Sequence, residues 1–472
     1  MSLTPDSPIG DLFRSLPSAL SSKLLKKERT FKRLGFTSPG AILGTLTPEM
    51  PPDFNVKSRG LTSQAQRVFK GTLNRERRVK QLARTLKIAP DELEVITATT
   101  TKLTGPLERS KPTKSEWFFG SSGQKSIRSR RDFHVLNADE LDLPTPDHSG
   151  RWELPDINAR LGGPWDQNYR PTCVAFACSA LVQYLAPWSE RPSPQFYYHQ
   201  CKMQDGIPNR PGTYISTAMR IVSDRRLSGR EYDWGTADAG LVPENAWPYE
   251  EDVIRGNQAH TPPPKSRRDR LYNGPRWAND QGEVIRVSNS SAATVTELRT
   301  LLKSAGIPIA VGLDIFASFN NPYSWRTGRI TLPLEGDSSI GGHAMLVVGF
   351  DDDEGVFLVR NSWGTGWAYA NPWHLSGHAL IPYLYFARYS HGSYSMRHMS
   401  TVNNVSIPEH LRLYNHRGSS STRSTALSAA KPGISQPSRK KRSPSKSSRK
   451  KTGRKNKNRG RRSLLGRLLG RR

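Results

Sequence analysis

Cys173 is the residue whose surroundings most favour chemistry. It opens an apolar run, Cys173-Val174-Ala175-Phe176-Ala177, that continues to Tyr184-Leu185 and has helical character. A thiol at a helix N-terminus faces backbone N–H groups with no intrahelical acceptor and the positive end of the helix dipole. Both favour the thiolate, the form that attacks. Cys178, placed inside the same helix, and Cys201 lack that setting. A cysteine that begins a buried helix is more often a small core residue than a nucleophile, so the case rests on what else the chain carries.

Far downstream stands Gly341-Gly342-His343-Ala344-Met345-Leu346-Val347-Val348-Gly349-Phe350-Asp351, followed by Gly355-Val356-Phe357-Leu358-Val359-Arg360-Asn361-Ser362-Trp363-Gly364-Thr365-Gly366-Trp367. The apolar runs 345–348 and 356–359 flank an acidic turn at 351–354, a pattern that predicts an antiparallel hairpin. His343 precedes the first run and Asn361 follows the second, so pairing brings them together. A carboxamide bound to an imidazole fixes its tautomer and turns the other ring nitrogen toward a nucleophile.

These residues resemble the papain-like cysteine peptidases, in which a Cys, a His and an Asn converge from distant parts of the chain. The resemblance covers about 150–395. Cys173 matches the nucleophile, Gln167 the oxyanion-hole glutamine six residues before it, His343 the base and acid, and Asn361 the orienting residue. Trp363 matches the indole that shields the His–Asn contact, and Gly212 falls near the family's substrate-backbone-binding glycine. The resemblance implies an α+β fold of two lobes, a helical one carrying Cys173 and an antiparallel β-barrel-like one carrying His343 and Asn361. It implies acyl transfer through a thiolate–imidazolium pair. Each oxyanion donor, the Gln167 amide and the Cys173 N–H, would be worth on the order of 3 kcal/mol. No metal or organic cofactor is implied, and the partner is a protein or peptide substrate.

The departures are specific. Secreted members carry a cysteine three residues before the nucleophile, where this chain has Arg170. Val174 replaces the usual aromatic after the nucleophile, a feature similar to intracellular bacterial members. His343 lies 170 residues after Cys173, which places insertions at 224–238 and 256–286. Trp325, Trp367, Tyr383, Tyr385 and Phe386 are read as packing residues of the β-rich lobe. Two other functions fit the same residues: a polyanion-binding scaffold that uses the domain for recognition, and transfer of the acyl group to an amine.

At 472 residues the chain exceeds what one core usually holds. Its net charge of +29 belongs to the ends: 1–134 hold 25 basic and 12 acidic residues, and 417–472 hold 20 basic residues and no acid. The middle is slightly acidic. The expected organisation is a small basic all-α domain at 1–103, loosely similar to helix-hairpin-helix modules, then a linker at 104–134 containing Trp117-Phe118-Phe119. The peptidase-like domain follows at 135–416 and a disordered basic tail at 417–472. In the first domain Gly35, Pro39 and Gly40 are read as helix breaks, and Ala89-Pro90-Asp91 as the start of another helix. The basic ends suit nucleic acid or an anionic surface. Neither a transmembrane run nor a signal peptide is evident, and three cysteines do not suggest a secreted disulfide set. The expected location is the cytoplasm, or the nucleus of a eukaryotic host through Lys440-Lys441-Arg442.

Overall fold

The computed structural model describes residues 3–47, 75–105, 107, 134–137, 147–148, 150–168, 170–186, 190–207, 210–223, 230–232, 235–237, 240–250, 271, 276–279, 283–397 and 399–402. The tail at 417–472, nearly all of the 104–134 linker and most of the 224–238 and 256–286 insertions lie outside the described residues.

Among the described residues six helices come first: α1 Ile9–Arg14, α2 Ser18–Leu25, α3 Glu28–Arg33, α4 Pro39–Leu46, α5 Arg75–Leu86 and α6 Pro90–Thr104. Their apolar residues recur at helical spacing and meet in one cluster around Phe13, Phe31, Phe36, Leu82 and Ile96. Helix α6 begins where expected: Pro90 needs no N–H at the first helical position, and the Glu92 carboxylate accepts the Ala89 N–H at 2.8 Å. Gly35, at φ 88°, breaks the chain after α3. Pro39 opens α4 and so marks the break before it, whereas Gly40 lies inside the helix, where a Cβ would run into the Tyr323 ring. The missing side chain lets the helix backbone approach the rest of the molecule.

The remaining described elements begin with β1 His134–Asn137, β2 Arg151–Glu153, α7 Ile157–Leu161, α8 Cys173–Leu185, α9 Pro194–Gln204, α10 Ile215–Ser223, β3 Arg230–Tyr232, β4 Gly235–Ala237, β5 Arg276–Ala278 and β6 Glu283–Arg286. After them come α11 Ala292–Lys303, β7 Ile309–Ile315, a 3₁₀ turn Ala317–Phe319, α12 Pro322–Thr327, β8 Gly341–Asp351, β9 Val356–Arg360, β10 His378–Pro382, α13 Tyr383–Tyr389, β11 Ser390–Met396 and β12 Ser400–Val402. The class is α+β. Helices α8, α9 and α10 pack on one another, and an eight-stranded sheet runs β1-β6-β11-β7-β8-β9-β10, with β2 added to β8. All neighbours in it are antiparallel except β1 and β6.

Strand β8 organises the sheet. β7 pairs with its first seven residues, and β2 takes over on the same edge at Gly349–Asp351, while β9 holds the other edge. Every β8 residue from His343 onward is buried, because α8 and α11 both pack against it. That explains a nearly continuous apolar run where a half-exposed strand would alternate. Of the expected packing aromatics, Trp325, Trp367, Tyr385 and Phe386 are buried and Tyr383 is half-buried.

The N-terminal helices meet this assembly through the segment between β7 and β8. Tyr323 and Leu334 belong to the helical cluster, and Arg78 of α5 reaches Asp337 at 2.9 Å with both side chains 2% exposed. Arg78 also donates to the Thr45 carbonyl at 2.6 Å. Burial pulls the Arg78 pKa down and Asp337 pushes it back up. Removing the carboxylate leaves a buried charge with a lone carbonyl acceptor, so Asp337→Ala is expected to cost roughly 3–5 kcal/mol. Chemical denaturation of the full chain measures it, and a loss below 1 kcal/mol would contradict the burial of this pair.

Candidate active site

Helix α8 starts at Cys173 itself, which puts the thiol at the first helical position. The helix is apolar on nearly every face because it lies in the middle of the core, with Val174, Ala175, Cys178, Leu181 and Val182 all buried. Its N-terminus abuts β8: the Ala344 N–H donates to Cys173 Sγ at 3.3 Å. The residue next to that amide is His343, third in β8. The strand therefore begins four residues before the apolar run, and His343 lies within it.

Asn361 follows the last residue of β9, and its Oδ1 lies 2.8 Å from His343 Nε2. The same oxygen accepts the Ser362 N–H at 2.8 Å. With Nε2 donating to Asn361, Nδ1 is the nitrogen left to carry basic lone-pair character. Trp363 stacks on the imidazole with centroids 5.0 Å apart and planes 27° apart, and Trp367 packs edge-on against Trp363 at 5.2 Å. Burial pushes the His343 pKa down to about 4, against the opposing effect of the Asn361 hydrogen bond.

Gln167 arrives through pairing between its loop and the chain after Asn361. Gln167 N–H donates to the Ser362 carbonyl at 2.9 Å, Gly364 N–H to the Trp165 carbonyl at 3.0 Å, and Asp166 bridges to Trp363. The side-chain amide is held at both ends. Ser362 Oγ donates to Oε1 at 2.6 Å, and Nε2 donates to the Arg170 carbonyl at 2.9 Å. Beside this, Arg360 donates to the carbonyls of Leu161, Gly162 and Gly163 at 3.2, 2.7 and 2.7 Å, tying the strand end to the start of the same loop. Burial, with a smaller push from Arg191, lowers its pKa to about 9.

The structure thus gathers Gln167, Cys173, His343, Asn361 and Trp363, all buried. The backbone of Gly212 is engaged within the protein. It is buried, its N–H donates to the Tyr198 hydroxyl at 3.1 Å, and its carbonyl accepts from Lys202 Nζ at 2.9 Å. Lys202 also takes the Ile207 and Arg210 carbonyls, and pairs with Asp205 at 2.8 Å, so one ammonium gathers three carbonyls and a carboxylate. Sequence reasoning missed Ser362 and Ala344. The amide of Ala344 carries no side-chain signal, and the serine hydroxyl becomes meaningful only once Gln167 is known to lie beside it.

Residues 227–373 match the model of the papain family cysteine proteases. That segment contains His343, Asn361 and Trp363, while Cys173 and Gln167 lie before it. Over 194 residues, 40% of its length, the chain is 26% identical to an uncharacterized peptidase C1-like protein of Acanthamoeba polyphaga mimivirus. The match spans about half of that relative, 53%. Among solved structures, xylellain, a cysteine protease from Xylella fastidiosa, aligns with 62% of this chain and 98% of its own at 21% identity and a TM-score of 0.41. A cysteine protease from Carica candamarcensis aligns with 54% and 99% at 15% identity and a TM-score of 0.31.

His378, opposite Arg360 in the β9–β10 ladder, supplies a pH test. Burial, and then the Arg360 charge, push its pKa down to about 3. The unfolded chain, with histidine near 6.5, then binds more protons than the folded one between roughly 3 and 6.5. Stability from this group is complete above that window and lost as pH falls through it. Glu244, raised to about 7 by burial, acts in the opposite sense between its unfolded value and 7. The expected result is that His378→Asn, which keeps a donor for the Leu375 and Ser376 carbonyls, loses less Tm than the wild type between pH 6.5 and 4. Parallel Tm curves would contradict the buried neutral ring.

Proposed function

We propose that the chain is a papain-like cysteine peptidase, with Cys173 as nucleophile, His343 as base and acid, Asn361 as the residue that orients the ring and Gln167 as an oxyanion donor. The observation that carries this reading is the 3.3 Å approach of Cys173 Sγ to the amide beside His343, with Nε2 of that histidine already committed to Asn361. The match of 227–373 to the papain family model supports it.

The chemistry follows from the groups present. His343 accepts the thiol proton at Nδ1, since Nε2 already donates to Asn361. The resulting thiolate faces the N-terminus of α8 and the Ala344 N–H, and each lowers its energy. Sulfur bonds to the substrate carbonyl carbon as the C=O electrons move to oxygen. The second N–H of Gln167 Nε2 and the Cys173 backbone N–H receive that charge. Collapse breaks the C–N bond while His343 returns its proton to the departing amine. Water, deprotonated by His343, then cleaves the thioester and releases the acid. Cys173 and His343 are 0% exposed, so the pair lies out of contact with bulk water.

Cleavage profiling over a peptide library tests the assignment. Cys173→Ala is expected to abolish turnover, and Asn361→Ala to weaken it without abolishing it, since Asn361 breaks no bond. Gln167→Ala is expected to lower kcat by about 10²–10³. Unchanged cleavage by the Cys173 variant would dismiss the reading.

A further inference from the structure

Arg170, three residues before Cys173, is 4% exposed, and no described carboxylate lies within ion-pair distance of it. Its charge is met by neutral groups. Nη1 donates to Gln195 Oε1 at 2.5 Å and to the Glu250 carbonyl at 2.9 Å. The guanidinium lies 4.8 Å from the centre of the Tyr249 ring and 5.9 Å from that of Tyr198. A buried cation is costly unless its acceptors are well placed, and here it pins one short loop to α9 and to the chain at 249–250.

That loop's backbone faces the chemistry. The Arg170 carbonyl accepts from Gln167 Nε2 at 2.9 Å and from Thr172 N–H, the residue before the helix, at 2.8 Å. Tyr249, under the guanidinium, donates its hydroxyl to the Gln167 carbonyl at 2.7 Å and touches Thr172 Oγ1 at 2.8 Å. A planar fork that stacks on an aromatic face while bonding two acceptors suits arginine better than lysine.

Building on the peptidase reading, we infer that Arg170 is a positioning residue. Its anchored guanidinium fixes its own carbonyl, and that carbonyl aims the Gln167 amide at the oxyanion position. The anchor replaces, with a charge, the cysteine that secreted relatives place here. The inference separates two reactions of one sulfur. Addition to a carbonyl, in hydrolysis or in thiohemiacetal formation with a peptidyl aldehyde, creates an oxyanion and needs the Gln167 amide. Alkylation by iodoacetamide displaces iodide at a saturated carbon and creates none.

The test is a double-mutant cycle on the full chain with Arg170→Met and Gln167→Ala, reading kcat, KM, peptidyl-aldehyde affinity and the iodoacetamide rate at Cys173. Arg170→Met is expected to lower kcat and aldehyde affinity at least tenfold, with KM and alkylation rate within about threefold of wild type. Arg170→Lys is expected to recover part of the loss. In the Gln167→Ala background the same change is expected to cost less than threefold. Equal costs in both backgrounds, or alkylation slowed in step with kcat, would overturn the inference. Should Arg170→Met not fold, Gln195→Met removes one acceptor and is read through the same cycle, where additivity again counts against it. A wild type that neither cleaves peptides nor binds the aldehyde removes the peptidase reading and this inference together. A wild type that does so with additive costs removes this inference alone.

Discussion

The end of a buried helix must meet the start of a buried strand, and the rest of the molecule serves that contact. Cys173 Sγ and the Ala344 amide lie 3.3 Å apart because α8 is apolar on nearly every face and β8 is buried from His343 onward. Neither element can retreat without exposing core. The strand neighbours finish the arrangement: β7 fixes the register of His343, and β9 delivers Asn361 to the adjacent strand end. The loop carrying Gln167 is then laced to the chain after Asn361 by backbone pairing and by Arg360.

A second theme is the use of buried cations as loop anchors. Arg360 gathers three carbonyls, Lys202 gathers three more with Asp205, Arg170 takes a carbonyl and a carboxamide, and Arg78 joins the N-terminal helices to the segment leading into β8. No disulfide joins the three cysteines. A disulfide restricts a loop through the unfolded chain, whereas these anchors act in the folded state. Each demands that its acceptors stay in place, since an orphaned buried charge costs more than a paired one returns.

Much of this was legible in the sequence where local pattern and chemistry agree. The helix beginning at Cys173, the hairpin with its acidic turn, the nearness of His343 to Asn361 and the arrival of Gln167 could all be read from spacing and from resemblance. What could not be read depended on tertiary contact. Gly40 looks like a breaker in isolation, yet serves a helix pressed against Tyr323. Gly212 sits in the expected stretch of chain, but a buried lysine ten residues before it turns its carbonyl inward. Arg170 was visible only as the absence of a cysteine; its role depends on Gln195 and Tyr249, which are distant in sequence.

The central claim is that the sulfur of residue 173 and the imidazole of residue 343 behave as one unit, and NMR titration of the His343 ring in the wild type and in Cys173→Ala tests it directly. With sulfur absent, burial and Asn361 alone act on the ring, and it titrates near the value of about 4 that they set. With sulfur present, proton transfer from the thiol leaves a charged ring beside a thiolate, so the wild-type ring is expected to stay protonated to a much higher pH. Superimposable titrations in the two proteins would contradict the account.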